Sequence, residues 1–335
     1  MCRLQQNVYL NLNSKAVAVL HPCMKARRVL GAALGTVGGA IVGNRLLKRR
    51  AGDLENPLVG IERTYRWRGI ETTYTVAGDP TDPDVLLCHG IYAGASSYEF
   101  EPIVEQLAED YHVYAVALPG FGRSERPPLV YAPSLYAEFI RDFAGDVTAD
   151  PIVVASSLTG SFAVDAADET DFQQLVLICP TDETATERPW LRTLLRTPIV
   201  GTTLYNLLAS KPSIRYFYDR DGYYDTSRID PEMVQYTWDS AHQSGARYAP
   251  ASFAAGTLDP EFDLATELAV LETPTTLVWG RDAGLVPLRD GRDLAAAADL
   301  DLVVIDYATQ LPHAEHPDEF VEYLRAELLA VGIDE

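Results

Sequence analysis

The sequence predicts a doubly wound α/β fold with a mostly parallel sheet of about eight strands and a helical insertion. Short runs rich in Val, Ile and Leu recur along the chain, and segments with helical periodicity lie between them. Continuous apolar runs indicate strands that are buried on both faces, and helices are the usual connections between such parallel strands. The size agrees with this fold, because 335 residues with 47% hydrophobic content can bury a large core.

The predicted elements begin after Asp53. The first two strands alternate polar and apolar residues, whereas the later ones are apolar throughout, which places them inside the sheet. The eight predicted strands are Glu62–Trp67, Glu71–Ala77, Val85–Cys88, Val113–Leu118, Ile152–Ala155, Leu175–Cys179, Thr275–Trp279 and Leu302–Asp306. Apolar residues at helical spacing predict helices over Phe100–Ala108, Leu135–Phe143, Gly160–Ala167, Asp290–Ala298 and Pro317–Val331.

One region interrupts the alternation of strands and helices. Residues 181–250 are helical in pattern and rich in Tyr and Trp. An insertion of this size at the carboxyl ends of parallel strands would cover a ligand crevice. We therefore expect residues 53–335 to form one domain with a cap at about 181–250, and most of the aromatic side chains to form the core of that cap.

The charge is unevenly distributed along the chain. The formal net charge is -21, yet residues 1–52 contain nine Lys and Arg and no acid, whereas 18 basic residues face 48 acidic ones from Asp53 onward. Lys211 is the one lysine of the acidic part. Such a surface stays hydrated where salt screens its self-repulsion, so the composition predicts a halophilic protein of a high-salt cytoplasm. It argues against a nucleic-acid partner, because phosphate binding needs clustered cations.

The basic segment 1–52 is predicted to be a separate leader. Val29–Gly43 has no charged residue, carries glycine at every fourth position, and is flanked by basic clusters. This pattern is typical of a membrane anchor, although 15 residues fall short of the ~20 that usually span a bilayer. A signal peptide and a detached leader are the alternatives, and the orientation in a membrane stays open. Residues 24–28 (MKARR) also permit a native start at Met24 rather than Met1.

The cysteines do not indicate a metal site. Cys2, Cys23, Cys88 and Cys179 have neither paired zinc spacing nor the pattern of a disulfide framework. Cys88 and Cys179 lie in predicted strands and are expected to be buried. The glycines of the leader lack the Lys-Ser/Thr and the strand context of a phosphate loop. We expect no cofactor.

Four short motifs occur in one register along residues 60–335. They are a strand followed by His-Gly, a Pro-Gly-Phe-Gly turn, a small-x-Ser-x-small turn between strand and helix, and a Leu-Pro-His run before the last helix, at Leu87–Gly90, Leu118–Ser124, Val153–Gly160 and Leu311–Pro317. Together they resemble the α/β-hydrolase superfamily, in particular its capped, esterase-like and lipase-like branch. The resemblance implies an eight-stranded fold and acyl-transfer chemistry.

The third motif looks like the nucleophile elbow of that superfamily. A nucleophile on a tight turn needs small residues two positions away on either side, and Ser157 has Ala155 and Thr159 there. The resemblance implies that Ser157 attacks the substrate. It also implies that the backbone N–H groups of Leu158 and Ile91 bind the oxyanion.

The partners of this serine depart from the family pattern. Ala283 occupies the position of the catalytic acid, and Gln310 occupies that of the histidine. Neither side chain can replace the lost function, because Ala cannot orient an imidazole and Gln cannot accept a proton near neutral pH. The possible substitutes are His313 as base and Asp282 or Asp182 as acid, but His313, like His89, is equally expected in a structural role.

Two functions follow as alternatives. In the first, the protein is a serine hydrolase that acts on a carboxylic ester or related acyl substrate beneath the cap. In the second, it is a catalytically silent relative that binds an apolar ligand or a protein partner, because Ala283 and Gln310 replace the usual acid and His. A third possibility is chemistry without an imidazole base, in which Gln310 positions a water molecule or the substrate.

Overall fold

A mostly parallel eight-stranded sheet forms the centre of the unit that begins at Lys48. The computed structural model describes residues 36–184 and 186–331, with side chains as far as Ala326. The strands are β1 (Ile61–Trp67), β2 (Ile70–Ala77), β3 (Asp84–Cys88), β4 (His112–Val116), β5 (Ile152–Ser156), β6 (Gln174–Ile178), β7 (Thr275–Gly280) and β8 (Asp301–Ile305). Their order is β1-β2-β4-β3-β5-β6-β7-β8, with β2 antiparallel to both of its neighbours and all other pairs parallel. The predicted fold class is thereby confirmed.

Helices connect the strands and cover both faces of the sheet. A helix at 36–51 (α1) is followed by α2 (Glu101–Leu107), α3 (Pro133–Val147), α4 (Leu158–Ala167), α5 (Pro189–Arg196), α6 (Val200–Leu208), α7 (Lys211–Phe217), α8 (Pro231–Ala241), α9 (Tyr248–Ala254), α10 (Leu264–Leu268), α11 (Leu288–Ala298), α12 (Pro312–Glu315) and α13 (Pro317–Val331). The five helices predicted from periodicity correspond to α2, α3, α4, α11 and α13.

The hydrophobic core has two layers because successive strand residues point to opposite faces. On one face, Leu86 and Cys88 of β3 belong to the layer that contains side chains of α3 and α4. On the other face, Val85 and Leu87 belong to the layer built with α2 and α13. The Cys88 and Cys179 thiols are buried and unpaired, in agreement with the sequence.

The order of the strands reverses at β3, which has β4 on one side and β5 on the other. Cys88 of β3 pairs with Ala155 of β5, so the two strands end side by side. The His-Gly turn after β3 and the serine turn after β5 therefore meet at the carboxyl edge of the sheet. Ligand crevices of doubly wound sheets form at such a reversal.

Helices α5–α10 lie between β6 and β7, and α5–α9 fall mainly within the predicted cap. The Leu195, Tyr205 and Ala241 side chains of this insertion form a small core of their own with Ala251 of α9. Several of its aromatic side chains, however, face the rest of the molecule. Phe217 of α7, for example, stacks on Tyr92 with ring centroids 5.6 Å apart.

The predicted membrane anchor falls only partly on described residues. Residues 29–35 lie outside them, as do residues 1–28 with Met1 and Met24, whereas 36–43 belong to α1. In the part of the chain that the structure describes, no helix is both long and apolar enough to cross a membrane. The anchor and the start site stay predictions.

Candidate active site

Ser157 occupies a sharp turn between β5 and α4. Its backbone has φ 55° and ψ -132°, and α4 begins at the next residue. A residue with a side chain rarely adopts positive φ, and such a conformation costs on the order of 1–3 kcal/mol. The backbone N–H of Ser157 donates to the Ile178 carbonyl at 2.8 Å, which ties the turn to β6. The turn brings Ser157 to the wall of a cavity.

The residues that follow Ser157 explain how the turn packs against the end of β6 and the His-Gly turn. An added Cβ on Gly160 would lie 3.0 Å from the Pro180 side chain, so glycine permits α4 to approach the end of β6 closely. Thr159 stands where the family has glycine. Its buried hydroxyl donates to the His89 carbonyl at 2.7 Å. The larger side chain therefore links the serine turn to the His-Gly turn instead of obstructing it.

His89 shapes the loop after β3. Its Nδ1 donates to the Gly90 carbonyl at 2.7 Å, and its Nε2 accepts from the Leu118 N–H at 3.1 Å. Burial is the main cause that lowers the His89 pKa to about 4, so the ring is neutral near pH 7. Both ring nitrogens are used, which places His89 in a structural role.

The two predicted oxyanion donors flank the serine. Ile91 follows Gly90, and a Cβ added to Gly90 would lie 3.6 Å from the Ser157 Cβ, so the two turns are in close contact. Leu158 is the residue after the serine and the first of α4. Among the described residues, no hydrogen bond uses the backbone N–H of Ile91 or Leu158. Both groups are available to an oxygen bound near Ser157.

The positions that depart from the family pattern are both buried. Gln310 lines the cavity, and its Oε1 accepts from the Val286 N–H at 3.4 Å. Its Nε2 has no hydrogen-bond partner among the described residues. Ala283 is 8% exposed. An amide therefore lines the cavity at the position where the motif predicts an imidazole.

The two predicted acids do not line this cavity. Asp282 is exposed, and its backbone N–H donates to the Ala308 carbonyl at 2.9 Å. Asp182 accepts from the Leu264 N–H at 2.8 Å and borders a different cavity, near α10 and α11. The structure places neither carboxylate in contact with His313.

His313, the predicted base, is also absent from the residues that line the cavity. Its side chain is completely buried between the rings of Phe100 and Phe320, at centroid distances of 5.3 and 5.8 Å. Burial lowers its pKa to about 3, so the imidazole is neutral. Its Nε2 lies 3.6 Å from Glu99 Oε1. The structure thus brings His313 to a carboxylate that the sequence analysis did not single out.

Glu99 is the residue that the sequence analysis missed. It lies in a turn of 3-10 helix, Ser97–Phe100, and its side chain is 1% exposed. Glu99 Oε2 accepts from the Gly90 N–H at 3.1 Å. Burial raises the pKa of Glu99 to about 7, although the Ser156 hydroxyl and the Gly90 N–H favour the charged form. The only signal in the sequence is an acid between two aromatic residues, which equally fits the start of a helix.

The cavity has a volume of about 370 Å³. Most of its wall is apolar and comes from the insertion and the loops around it: Ile91, Tyr92, Ala93, Leu208, Ala209, Ile214, Phe217, Phe253, Leu285 and Leu311. Ser156, Ser157 and Glu99 gather around Gly90, and further polar side chains of the wall are those of Ser213, Thr237 and Gln310. A small apolar molecule with one polar, reactive group matches this distribution.

Comparisons with known proteins agree with this fold. The model of the alpha/beta hydrolase family matches residues 85–323. The chain is 26% identical over 278 residues to 2-hydroxy-6-oxo-6-(2'-aminophenyl)hexa-2,4-dienoic acid hydrolase of Metapseudomonas resinovorans, covering 78% of this chain and 88% of the relative. It is 25% identical over 247 residues to pimeloyl-[acyl-carrier protein] methyl ester esterase of Aliivibrio salmonicida, covering 72% and 90%.

A solved structure shares the fold. The 2-hydroxy-6-oxo-6-phenylhexa-2,4-dienoate hydrolase of Rhodococcus sp. strain RHA1 superposes with a TM-score of 0.65 at 23% identity. The superposition covers 80% of this chain and 98% of that one.

Proposed function

Because the chain belongs to the alpha/beta hydrolase family, we propose that it hydrolyses a carboxylic ester or a related acyl compound, with Ser157 as the nucleophile. The observation that carries the proposal is the strained backbone of Ser157 at the wall of the apolar cavity. Strain of this kind is concentrated at functional sites, where it aims a side chain at a ligand. The presence of this strained backbone at a serine on the cavity wall supports Ser157 as the nucleophile.

The backbone N–H donors near Ser157 support the same chemistry. Attack on an acyl carbon places negative charge on its oxygen, and preformed N–H donors stabilise that charge. The N–H groups of Ile91 and Leu158 flank Ser157 and are not used by other described residues. Both N–H groups are therefore the candidate oxyanion donors.

The walls of the cavity suggest the class of substrate. The apolar surface and a volume of about 370 Å³ suit a small or medium-sized acyl group. The curated relatives include, by name, a methyl ester esterase and a hydrolase of a dienoic acid. We infer an ester of a small apolar acid, held by the insertion with its carbonyl toward Ser157.

The test is active-site labelling of the full-length chain in concentrated KCl with a fluorescent fluorophosphonate. Turnover of p-nitrophenyl esters from acetate to octanoate is measured in parallel. We expect labelling and turnover that are lost in Ser157→Ala and kept in Ser161→Ala. Ser161 lies in α4, and its hydroxyl donates to the Thr181 carbonyl. Labelling that is lost in Ser156→Ala but kept in Ser157→Ala would overturn the assignment of the nucleophile.

A catalytically silent ligand-binding protein is the second candidate. It is favoured by Ala283 and Gln310, which remove the acid and the imidazole on which the family depends. This candidate predicts a folded protein with neither labelling nor turnover that still binds a medium-chain fatty acid in a calorimetric titration. Esterase activity that depends on Ser157 would exclude it.

A further inference from the structure

We propose that Glu99 is the group that accepts the proton of Ser157, an inference that rests on the hydrolase function proposed above. A serine hydroxyl needs a base before it can attack. Gln310 cannot accept the proton, and His313 does not line the cavity. Glu99 and the phenol of Tyr92 are the ionisable side chains among the described residues of the wall.

The position of Glu99 is set by Gly90. The Cβ that Gly90 lacks would lie 3.4 Å from Ser156 Oγ, 3.5 Å from Glu99 Oε2 and 3.6 Å from the Ser157 Cβ. The Glu99 carboxylate and the side chains of Ser156 and Ser157 therefore surround the same point, and the Ser156 hydroxyl bonds Glu99. The N–H of Gly90 also donates to Glu99 Oε2, which holds the carboxylate against the His-Gly turn. Glu99 thus reaches the serine turn from the loop that carries the oxyanion donor Ile91.

The electrostatic environment keeps Glu99 a usable base. An ordinary Glu has a pKa near 4.3 and is a weak base, whereas burial brings the pKa of Glu99 to about 7. No cation counters this effect, since His313 behind it is neutral. Its second oxygen, Oε1, has no hydrogen-bond partner among the described residues.

The other titratable groups around Glu99 do not change charge near pH 7. They are Tyr92 on the loop after β3, Tyr218 and Tyr223 in the insertion, and His313 on α12. The pKa of each tyrosine is raised, mainly by burial, and each phenol lies close enough for Glu99 to contribute to the rise. Glu99 is therefore the group whose titration would appear in the activity.

The proton transfers balance within the site. The Ser157 Oγ–H proton moves to the Glu99 carboxylate while Oγ bonds the acyl carbon and the carbonyl electron pair moves onto oxygen. Collapse of this oxyanion breaks the ester C–O bond, and the leaving alkoxide takes the proton from Glu99. Water then attacks the acyl carbon and passes a proton to Glu99, which returns it to Ser157 as the acid departs. The net reaction consumes one ester and one water, and yields one acid and one alcohol.

The experiment measures the rate of fluorophosphonate labelling of Ser157 against pH in the full-length protein. We expect the wild-type rate to rise with pH through a midpoint near 7, because the deprotonated carboxylate is the active form. Glu99→Gln keeps the shape but cannot accept the proton, so its rate should fall at least ~100-fold and lose this dependence. Glu105→Gln, an exposed glutamate of α2, should behave as wild type.

A rate and pH profile in Glu99→Gln equal to those of wild type would overturn the role of Glu99 while leaving the hydrolase function intact. Absence of labelling and turnover in the folded wild-type protein would instead refute the proposed function itself. If Glu99→Gln does not fold, the labelling rate against pH is measured on Glu99→Asp instead. A reduced rate that still rises near pH 7 supports the role, and a pH-independent rate refutes it.

Discussion

His313 Nε2 lies 3.6 Å from Glu99 Oε1, and both side chains are almost completely removed from solvent. In a serine triad the imidazole touches the serine and the carboxylate stands behind it. Here the carboxylate lines the cavity, whereas the imidazole is absent from its wall and is buried between phenyl rings. The pair is not an ion pair near pH 7, since burial keeps the histidine neutral. The high pKa of Glu99 comes from its burial.

Glu99→Gln is expected to make the fold more stable at pH 8. The Glu99 pKa rises from about 4.5 to about 7 on folding, so between these values the folded state binds more protons and wild-type stability falls as pH rises. Gln carries no charge, so the variant avoids this loss of stability, which is about 3 kcal/mol at pH 8. Chemical unfolding of both proteins from pH 6.5 to pH 8 measures the difference.

The comparison with wild type is needed because other groups oppose this trend. His89 and His313 have lowered pKa values in the folded protein, so their contribution falls as the pH drops below about 6.5. The His89 contribution and the repulsion among the surface acids cancel when the variant is subtracted from wild type. His313 contacts residue 99, so the comparison is made above pH 6.5, where its imidazole is neutral in both proteins. Equal stability of Glu99→Gln and wild type at every pH would contradict a raised pKa for Glu99.

Thr159→Val is expected to destabilise the serine turn. The substitution keeps the shape but removes the hydrogen bond to the His89 carbonyl, leaving a buried acceptor without its partner. We expect a loss of about 1–3 kcal/mol in the free energy of unfolding and slower labelling of Ser157. Thr193→Val is the control, because its hydroxyl makes an exposed helix bond to the Pro189 carbonyl. Equal losses in both variants would refute a special role for Thr159.

The parts that could be predicted from the sequence depend on local patterns. Strands follow from apolar runs, and the Ser157 turn follows from its small neighbours, since both constraints act within a few residues. Glu99 could not be predicted in this way, because its place in the site arises when the loop after β3 folds against β5. The His313 side chain likewise packs against Phe100, which is distant in the sequence and near in the fold.

Gln310→His combined with Ala283→Asp tests whether the family pattern can be restored. Both positions are buried, and Gln310 faces the cavity that Ser157 lines. An imidazole there, oriented by a carboxylate, would supply a second base, so we expect Ser157 labelling at least ~10-fold faster than in wild type. The control is Gln310→His with Ala283→Asn, which lacks the orienting charge. Labelling no faster than wild type in the Asp variant would show that these positions no longer meet at Ser157.

Phe217→Ala is expected to change the preference for acyl length. Phe217 of α7 lines the cavity and stacks on Tyr92, so its removal enlarges the space that an acyl chain can fill. In a hydrophobic pocket one methylene is worth about 1–3 kcal/mol, and relief of a steric limit should have a comparable effect on kcat/KM. The kcat/KM ratio of octanoate to acetate p-nitrophenyl esters should therefore rise by roughly 10-fold.

The matched control for Phe217→Ala is Tyr216→Ala, which removes an exposed aromatic ring from the preceding position of the same helix. Its side chain does not line the cavity, so the ratio of the two esters should stay at the wild-type value. A ratio that is unchanged in Phe217→Ala, or that rises equally in both variants, would mean that the acyl chain does not lie against α7. The substrate would then enter the site from another side, and the insertion would not select it by length.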